Sequence, residues 1–252
     1  LAILNAKDWA VTELESSIHS TKLYFNIDSP GHGPVGFKAK DHPLQTRHGA
    51  VIQNREITCR LPGKTPVILS LARFGLKGGH NLENAAAASL TALASGGNQA
   101  GIQAALNSFK GLRHRLEWVR NVNGVQYYND SKATNVDAVK RSLESFQSPI
   151  ILIMGGRDKG GGYTVLEHLI RKRVKRLIAM GEAREKILDA LGEVTRSDGV
   201  RTLQEAVHLA YKGATPGDIV LLAPGCSSFD MFADYVERGA AFCKAVEELK
   251  QR

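Results

Sequence analysis

From about Gln126 onward, short apolar runs alternate with helical spacings. Ile150-Ile151-Leu152-Ile153-Met154 and Ile219-Val220-Leu221-Leu222 are wholly apolar, short and rich in β-branched residues, so each reads as a parallel strand buried on both faces. Val125-Gln126-Tyr127-Tyr128 reads as another strand, paired through an Asn123-Gly124 turn with Trp118-Val119-Arg120. Residues 176–180 make a further strand, and the spacing predicts helices over 137–146, 164–173, 184–191, 202–211 and 229–249. This alternation predicts an α/β protein whose C-terminal part is a doubly wound parallel sheet with helices on both faces.

The first 110 residues have a different rhythm. Residues 1–5 read as a strand, 9–14 as a short helix, and 28–43, with Ser29-Pro30-Gly31-His32-Gly33-Pro34, as a loop. Val51-Ile52 and Ile57-Thr58-Cys59-Arg60 flank Asn54-Arg55 as a hairpin, and 81–94 and 102–109 read as helices. These elements are too few to close an α/β core. The expectation is therefore the trailing part of an incomplete domain over 1–111 and a second domain over 112–252, divided near Lys110-Gly111-Leu112. The strand-like start, without Met, carries the same expectation of a missing upstream segment.

The 43% apolar and 23% charged residues are ordinary for a soluble globular chain. No window approaches the roughly 18 consecutive apolar residues of a membrane span, and no basic flank marks a secretory signal. Cys59, Cys226 and Cys243 are odd in number and widely spaced, which argues against a disulfide framework or a CxxC metal site and fits a reducing, cytoplasmic compartment. The net charge of +8 fits either nucleic acid or small anionic substrates. The densest basic run, Arg171-Lys172-Arg173 with Lys175 and Arg176, falls where a helix should end, and cations there complement the helix C-terminus. No aromatic residue interleaves with it, which argues against single-stranded nucleic acid as a partner.

Four clusters carry candidate chemistry. Arg113-His114-Arg115 lies beside the domain boundary, where guanidinium forks match phosphate oxygens; a solvated linker is the plainer reading. Asn129-Asp130-Ser131-Lys132-Ala133-Thr134-Asn135 follows a strand, at the edge where open α/β sheets bind ligands. Asp130 can accept from a ribose hydroxyl and Lys132 can neutralise a phosphate, whereas a helix cap explains only one of the six polar residues. Gly155-Gly156-Arg157-Asp158-Lys159-Gly160-Gly161-Gly162 follows a second strand; its glycines admit a ligand to the backbone, and Lys159 can pair with a carboxylate or phosphate. It is no Walker loop, and Gly63-Lys64-Thr65, followed by Pro66, is rejected as one. Ala223-Pro224-Gly225-Cys226-Ser227-Ser228-Phe229-Asp230 follows a third strand, with Ser227 and Ser228 at an expected helix start suited to a carboxylate.

The Asn129-to-Asn135 run, Ser228-Phe229-Asp230 before Phe232, and Arg238-Gly239 together resemble the Mur ligase family, supported by Gly79-His80-Asn81-Leu82-Glu83-Asn84 and His114-Arg115. The resemblance covers essentially the whole chain and is nearest to the branch that adds D-glutamate. It implies three domains, of which this chain holds the tail of the central α/β ATPase domain and the whole amino-acid-binding C-terminal domain, a Rossmann-like doubly wound sheet. It implies that ATP converts the carboxylate of UDP-N-acetylmuramoyl-L-alanine to an acyl phosphate, which the D-glutamate amine attacks, in peptidoglycan precursor synthesis serving cell shape and division. By the same resemblance Asn84 contacts adenine, and His114, Arg115 and Asp130 serve phosphate and ribose. Lys132 and Lys159 are the catalytic candidates. Thr134, Lys159, Ser228 and Phe229 bind the amino acid's carboxylates beside Tyr235, which stands where the family often has Phe. The family's P-loop and magnesium ligands have no counterpart here, so Mg2+ ligands are expected upstream, on a missing N-terminal half, and no metal residue is assigned. Alone, the chain is expected to be inactive. A non-catalytic α/β module binding a nucleotide or an acidic amino acid is the competing reading.

Overall fold

The computed structural model describes residues 1–26 and 48–251 and divides into two units, Leu1–Lys110 and Gly111–Arg252. The loop read over 28–43 lies outside the described residues.

In the first unit, β1 (Ala2–Asn5), β2 (Lys22–Phe25), β3 (Gly49–Gln53), β4 (Glu56–Arg60) and β5 (Val67–Ser70) form one sheet in that order. The first three strands are parallel and the last two pairings antiparallel. The β3–β4 turn has Asn54 and Arg55 at φ 52° and 60°, the paired left-handed geometry whose twist suits a two-residue hairpin. A short helix α1 (Trp9–Glu13) follows β1, and α2 (Gly79–Ala94) and α3 (Gln99–Ser108) follow β5. Leu23, Ala50, Ile57, Cys59 and Leu69 of the sheet pack against Ala86, Leu90 and Leu93 of α2 and Leu106 of α3. The expectation that this part has too few elements for a core is thereby corrected. β2 and β5 went unread: neither Lys22–Phe25 nor Val67–Ser70 alternates apolar and polar residues, and it is the neighbouring strands that complete their hydrogen bonds.

The second unit holds β6 (Glu117–Val122), β7 (Val125–Asn129), β8 (Ile150–Gly155), β9 (Val174–Met180), β10 (Ser197–Gly199) and β11 (Ile219–Leu222). Their order is β10-β9-β8-β11-β7-β6, parallel throughout except for the β6–β7 hairpin. Successive residues of β8 enter opposite cores, as a pleated strand requires. Ile150, Leu152 and Met154 meet residues of α4 (Val136–Glu144), α5 (Glu167–Arg173) and α6 (Arg184–Leu191). Ile151 and Ile153 meet α7 (Leu203–Gly213) and α8 (Tyr235–Glu247). The doubly wound α/β architecture is present.

Two helix boundaries are corrected. The segment 164–173 divides into a 3-10 turn, Tyr163–Leu166, and α5. The last helix begins at Tyr235 rather than Phe229, because Asp234 caps it, its Oδ1 accepting the Val236 and Glu237 N–H groups at 2.8 Å each. In the basic run, Arg171-Lys172-Arg173 closes α5, Arg171 pairs with Glu167 at 2.9 Å, Arg176 with Asp198 at 2.7 Å, and Lys175 with Asp218. Among the described residues, no helix is long and apolar enough to cross a membrane.

Candidate functional site

Strands β7, β8 and β11 are adjacent and parallel, with Leu222 opposite both Asn129 and Ile153. Their carboxyl ends therefore stop level on one edge, and the three polar loops that follow them share it. β11, last in sequence, enters between β8 and β7, so this edge lies where the winding reverses, the position at which open α/β sheets hold ligands. Backbone bonds tie the loops together. Asp130 N–H donates to the Leu222 carbonyl, Gly225 N–H to that of Ala133, and Gly155 N–H to that of Pro224, each at 2.8 Å. Arg157 and Ser227 exchange N–H···O bonds of 2.9 and 3.2 Å as an isolated bridge. Asp130, Lys132, Thr134, Lys159, Ser228 and Phe229 are thus carried on one sheet edge.

A single guanidinium joins all three loops. Arg238 of α8 is fully buried. Its Nε donates to Ser131 Oγ at 3.0 Å and its Nη2 to the Ser131 and Cys226 carbonyls at 2.9 and 3.1 Å. Its Nη1 donates to the Ser227 and Gly155 carbonyls at 3.2 and 3.4 Å. Burial lowers its pKa to about 10, so it remains charged at neutral pH. Carbonyl dipoles here replace the hydration a buried cation loses. The sequence reading gave Arg238 no role, although its spacing from Phe242, Ala245 and Val246 puts it on the buried side of α8.

Asn129, the last residue of β7, organises the neighbouring segment. Its Nδ2 lies 2.9 Å from His114 Nδ1, 3.1 Å from Glu117 Oε2 and 3.2 Å from the Gly239 carbonyl, while its Oδ1 accepts the Ser131 N–H at 3.1 Å. An amide nitrogen only donates, so His114 Nδ1 accepts and the neutral ring carries its proton on Nε2. His114 is 3% exposed and turned inward, which leaves the arginines of the Arg113-His114-Arg115 cluster facing solvent. Burial, only partly offset by Glu117, holds the His114 pKa below the usual histidine value. The folded chain then binds fewer protons than the unfolded one once pH falls through roughly 6.5. This contribution to stability is complete above that pH and lost below it. Urea unfolding between about pH 5 and 8 should show the decline, and His114→Gln should remove that component. A pH slope untouched by the substitution would assign the titration to another group.

Asp130 is 8% exposed, and both its oxygens are engaged: Oδ1 accepts the Leu116 N–H at 3.2 Å and Oδ2 the Ser142 hydroxyl. Burial raises its pKa above the usual carboxylate value, against the pull of Ser142, Leu116 and Arg115. Asp130 therefore fastens the segment carrying Arg115, and each oxygen keeps one lone pair for a ligand. Arg115 is exposed and makes no ion pair among the described residues, which suits it to a phosphate. Lys132 Nζ lies 3.9 Å from the centre of the Tyr235 ring, a cation–π contact that orients it. Lys159 is exposed and, among the described residues, also lacks an ion pair. Thr134 is half-buried, Ser228 is buried and Phe229 is 59% exposed. The free helix start expected at Phe229 is absent: Met231 and Phe232 N–H groups turn back to the Ser228 carbonyl at 3.1 and 2.9 Å. Asn84 stands on the exposed side of α2 in the first unit.

Residues 114–226, which span β6 to the β11 loop, match the pattern of the Mur ligase, glutamate ligase domain. The UDP-N-acetylmuramoylalanine--D-glutamate ligase of Desulfosudis oleivorans is 42% identical over 252 residues, covering 100% of this chain and 51% of that protein. The chain belongs to the Mur ligase family. A second Mur ligase, the UDP-N-acetylmuramoylalanine--D-glutamate ligase of Geotalea daltonii, is 52% identical over 178 residues, 71% of this chain and 39% of that protein. The fold is shared with the MurF ligase of Thermotoga maritima solved in complex with ADP, at a TM-score of 0.58 and 16% identity over 98% of this chain and 53% of that one. The chain spans about half the length of the curated Mur ligase relatives it matches.

Proposed function

We propose that this chain supplies the amino-acid-binding part, and some of the nucleotide-binding part, of a cytoplasmic ATP-dependent ligase that joins D-glutamate to UDP-N-acetylmuramoyl-L-alanine. The observation that carries the reading is the shared edge of β7, β8 and β11, where Lys132 and Lys159, without an ion pair among the described residues, stand beside buried hydroxyls and turn backbone. The names of the two relatives supply the substrates, and the ADP named with the Thermotoga maritima ligase, 16% identical to this chain, supplies the nucleotide class.

In this reading Lys159 takes one carboxylate of D-glutamate, and Thr134, Ser228 and the Phe229 backbone complete the amino-acid site beside Tyr235. Arg115 meets phosphate, Asp130 offers its remaining lone pairs to the ribose, and Asn84 contacts adenine. His114 serves that side from within, by holding Asn129 and the backbone next to Arg115. Lys132, oriented over Tyr235, adds positive charge on the nucleotide side. ATP, with Mg2+, supplies the phosphoryl group that activates the acceptor carboxylate; no Mg2+ ligand is assigned to these residues. Fixed cations suit such a reaction because they stabilise gathered negative charge without having to reorganise.

The reading is tested by joining the chain to the N-terminal half of the Geotalea daltonii relative and measuring D-glutamate-dependent ADP release. Release is expected, and its absence would favour a binding module that catalyses nothing. In that protein Lys159→Ala should raise the D-glutamate KM by roughly 10- to 100-fold, the scale of one lost charge-assisted bond, and leave the ATP KM nearly unchanged. Equal effects on the two KM values would refute the role given to Lys159.

A further inference from the structure

The loop after β8 carries three consecutive charges, and two of them are already engaged. Arg157 Nε lies 3.3 Å from Glu182 Oε2. Asp158 gathers three donors: the Gly160 N–H at 3.1 Å and the Tyr163 hydroxyl at 2.9 Å on Oδ1, and Lys186 Nζ of α6 at 2.5 Å on Oδ2. The bond from Lys186 is the main reason its carboxyl sits below the usual range. The loop's start is held by the Arg157–Ser227 bridge. Its end is held by Tyr163, which is 2% exposed and has its hydroxyl 3.1 Å from Cys226 Sγ in the β11 loop. Lys159 lies between the clamped Asp158 and the bonded Gly160 amide, exposed and without an ion pair among the described residues.

We propose that Asp158, clamped by Lys186 and Tyr163, is a positioning residue that presents Lys159 to a carboxylate of the acidic amino-acid substrate. The proposal rests on the amino-acid reading given above. Gly160-Gly161-Gly162 is a run of three residues with much backbone freedom to lose, and ordering it at the moment of binding would weaken affinity. The clamp orders it in advance. Lys186 also offsets the Asp158 charge, which would otherwise repel an arriving anion.

The test has two readouts. In the 252-residue chain, Asp158→Ala should speed hydrogen exchange at the Gly160 amide; an unchanged rate would overturn the clamp whatever the substrate. In the extended ligase described above, Asp158→Ala should raise the D-glutamate KM about tenfold and should do little more in a Lys159→Ala background, because it acts through Lys159. Lys186→Met, on a separate helix, should reproduce that pattern and guards against misfolding of the first variant. Losses that simply add to that of Lys159→Ala would mark a general structural role and overturn the proposal. An unchanged KM for Asp158→Ala, with Lys159→Ala still impaired, would overturn the positioning role and leave the amino-acid reading standing. Wild-type extended protein that ignores D-glutamate would overturn both.

Discussion

Arg238→Ala is expected to destabilise the second unit by about 3–5 kcal/mol, the scale seen when one partner of a buried charged contact is removed. The side chain is fully buried and donates to Ser131, Gly155, Cys226 and Ser227, so its loss leaves acceptors from all three strand-end loops without their shared donor. Water entering the cavity would recover part of this, which is why the bonds are not summed individually. Arg238→Lys keeps the charge, but one ammonium cannot reach five acceptor contacts from a single plane, so only partial recovery is expected. Urea unfolding of the three proteins measures both effects. A loss below about 1 kcal/mol for the alanine variant would show that the loops hold their places without the guanidinium.

Gly156→Ala should be nearly as damaging, at roughly 2–5 kcal/mol, from steric overlap and backbone strain combined. Gly156 has φ 135°, a conformation that L side chains rarely adopt. An added Cβ would stand 2.2 Å from the Ser227 carbonyl oxygen and 3.0 Å from Arg238 Nη1. Relief requires the β8 and β11 loops to part, which breaks the Arg157–Ser227 bridge and disturbs the guanidinium behind it. Urea unfolding gives the stability change, and faster exchange at the Arg157 and Ser227 amides would locate it. Wild-type stability with both amides still protected would mean that the loops can separate at little cost.

Much of the second unit was legible because its signals are local. Ile150-Ile151-Leu152-Ile153-Met154 can hardly be anything but a strand buried on both faces, and the helix over 184–191 was bounded correctly from its period alone. The first unit was less legible: Lys22–Phe25 and Val67–Ser70 are strands chiefly because neighbouring strands complete their hydrogen bonds, a property outside either segment. The start of α8 was misplaced because Ser228 and Asp234 are both capable helix caps, and the Ser228 carbonyl is instead taken up by the turn to Met231 and Phe232.

The sequence by itself determined that three polar loops follow three strands, and which cations and hydroxyls those loops contain. Only the tertiary structure decided which of those groups the fold itself engages and which stay exposed. His114 turns inward, Asp130 is largely spent on Leu116 and Ser142, Asp158 is clamped, and Lys159 and Arg115 are left unpaired among the described residues. The physical reason is that a polar side chain's availability depends on which donors and acceptors the fold brings within about 3 Å of it, and those partners come from positions far away in the chain.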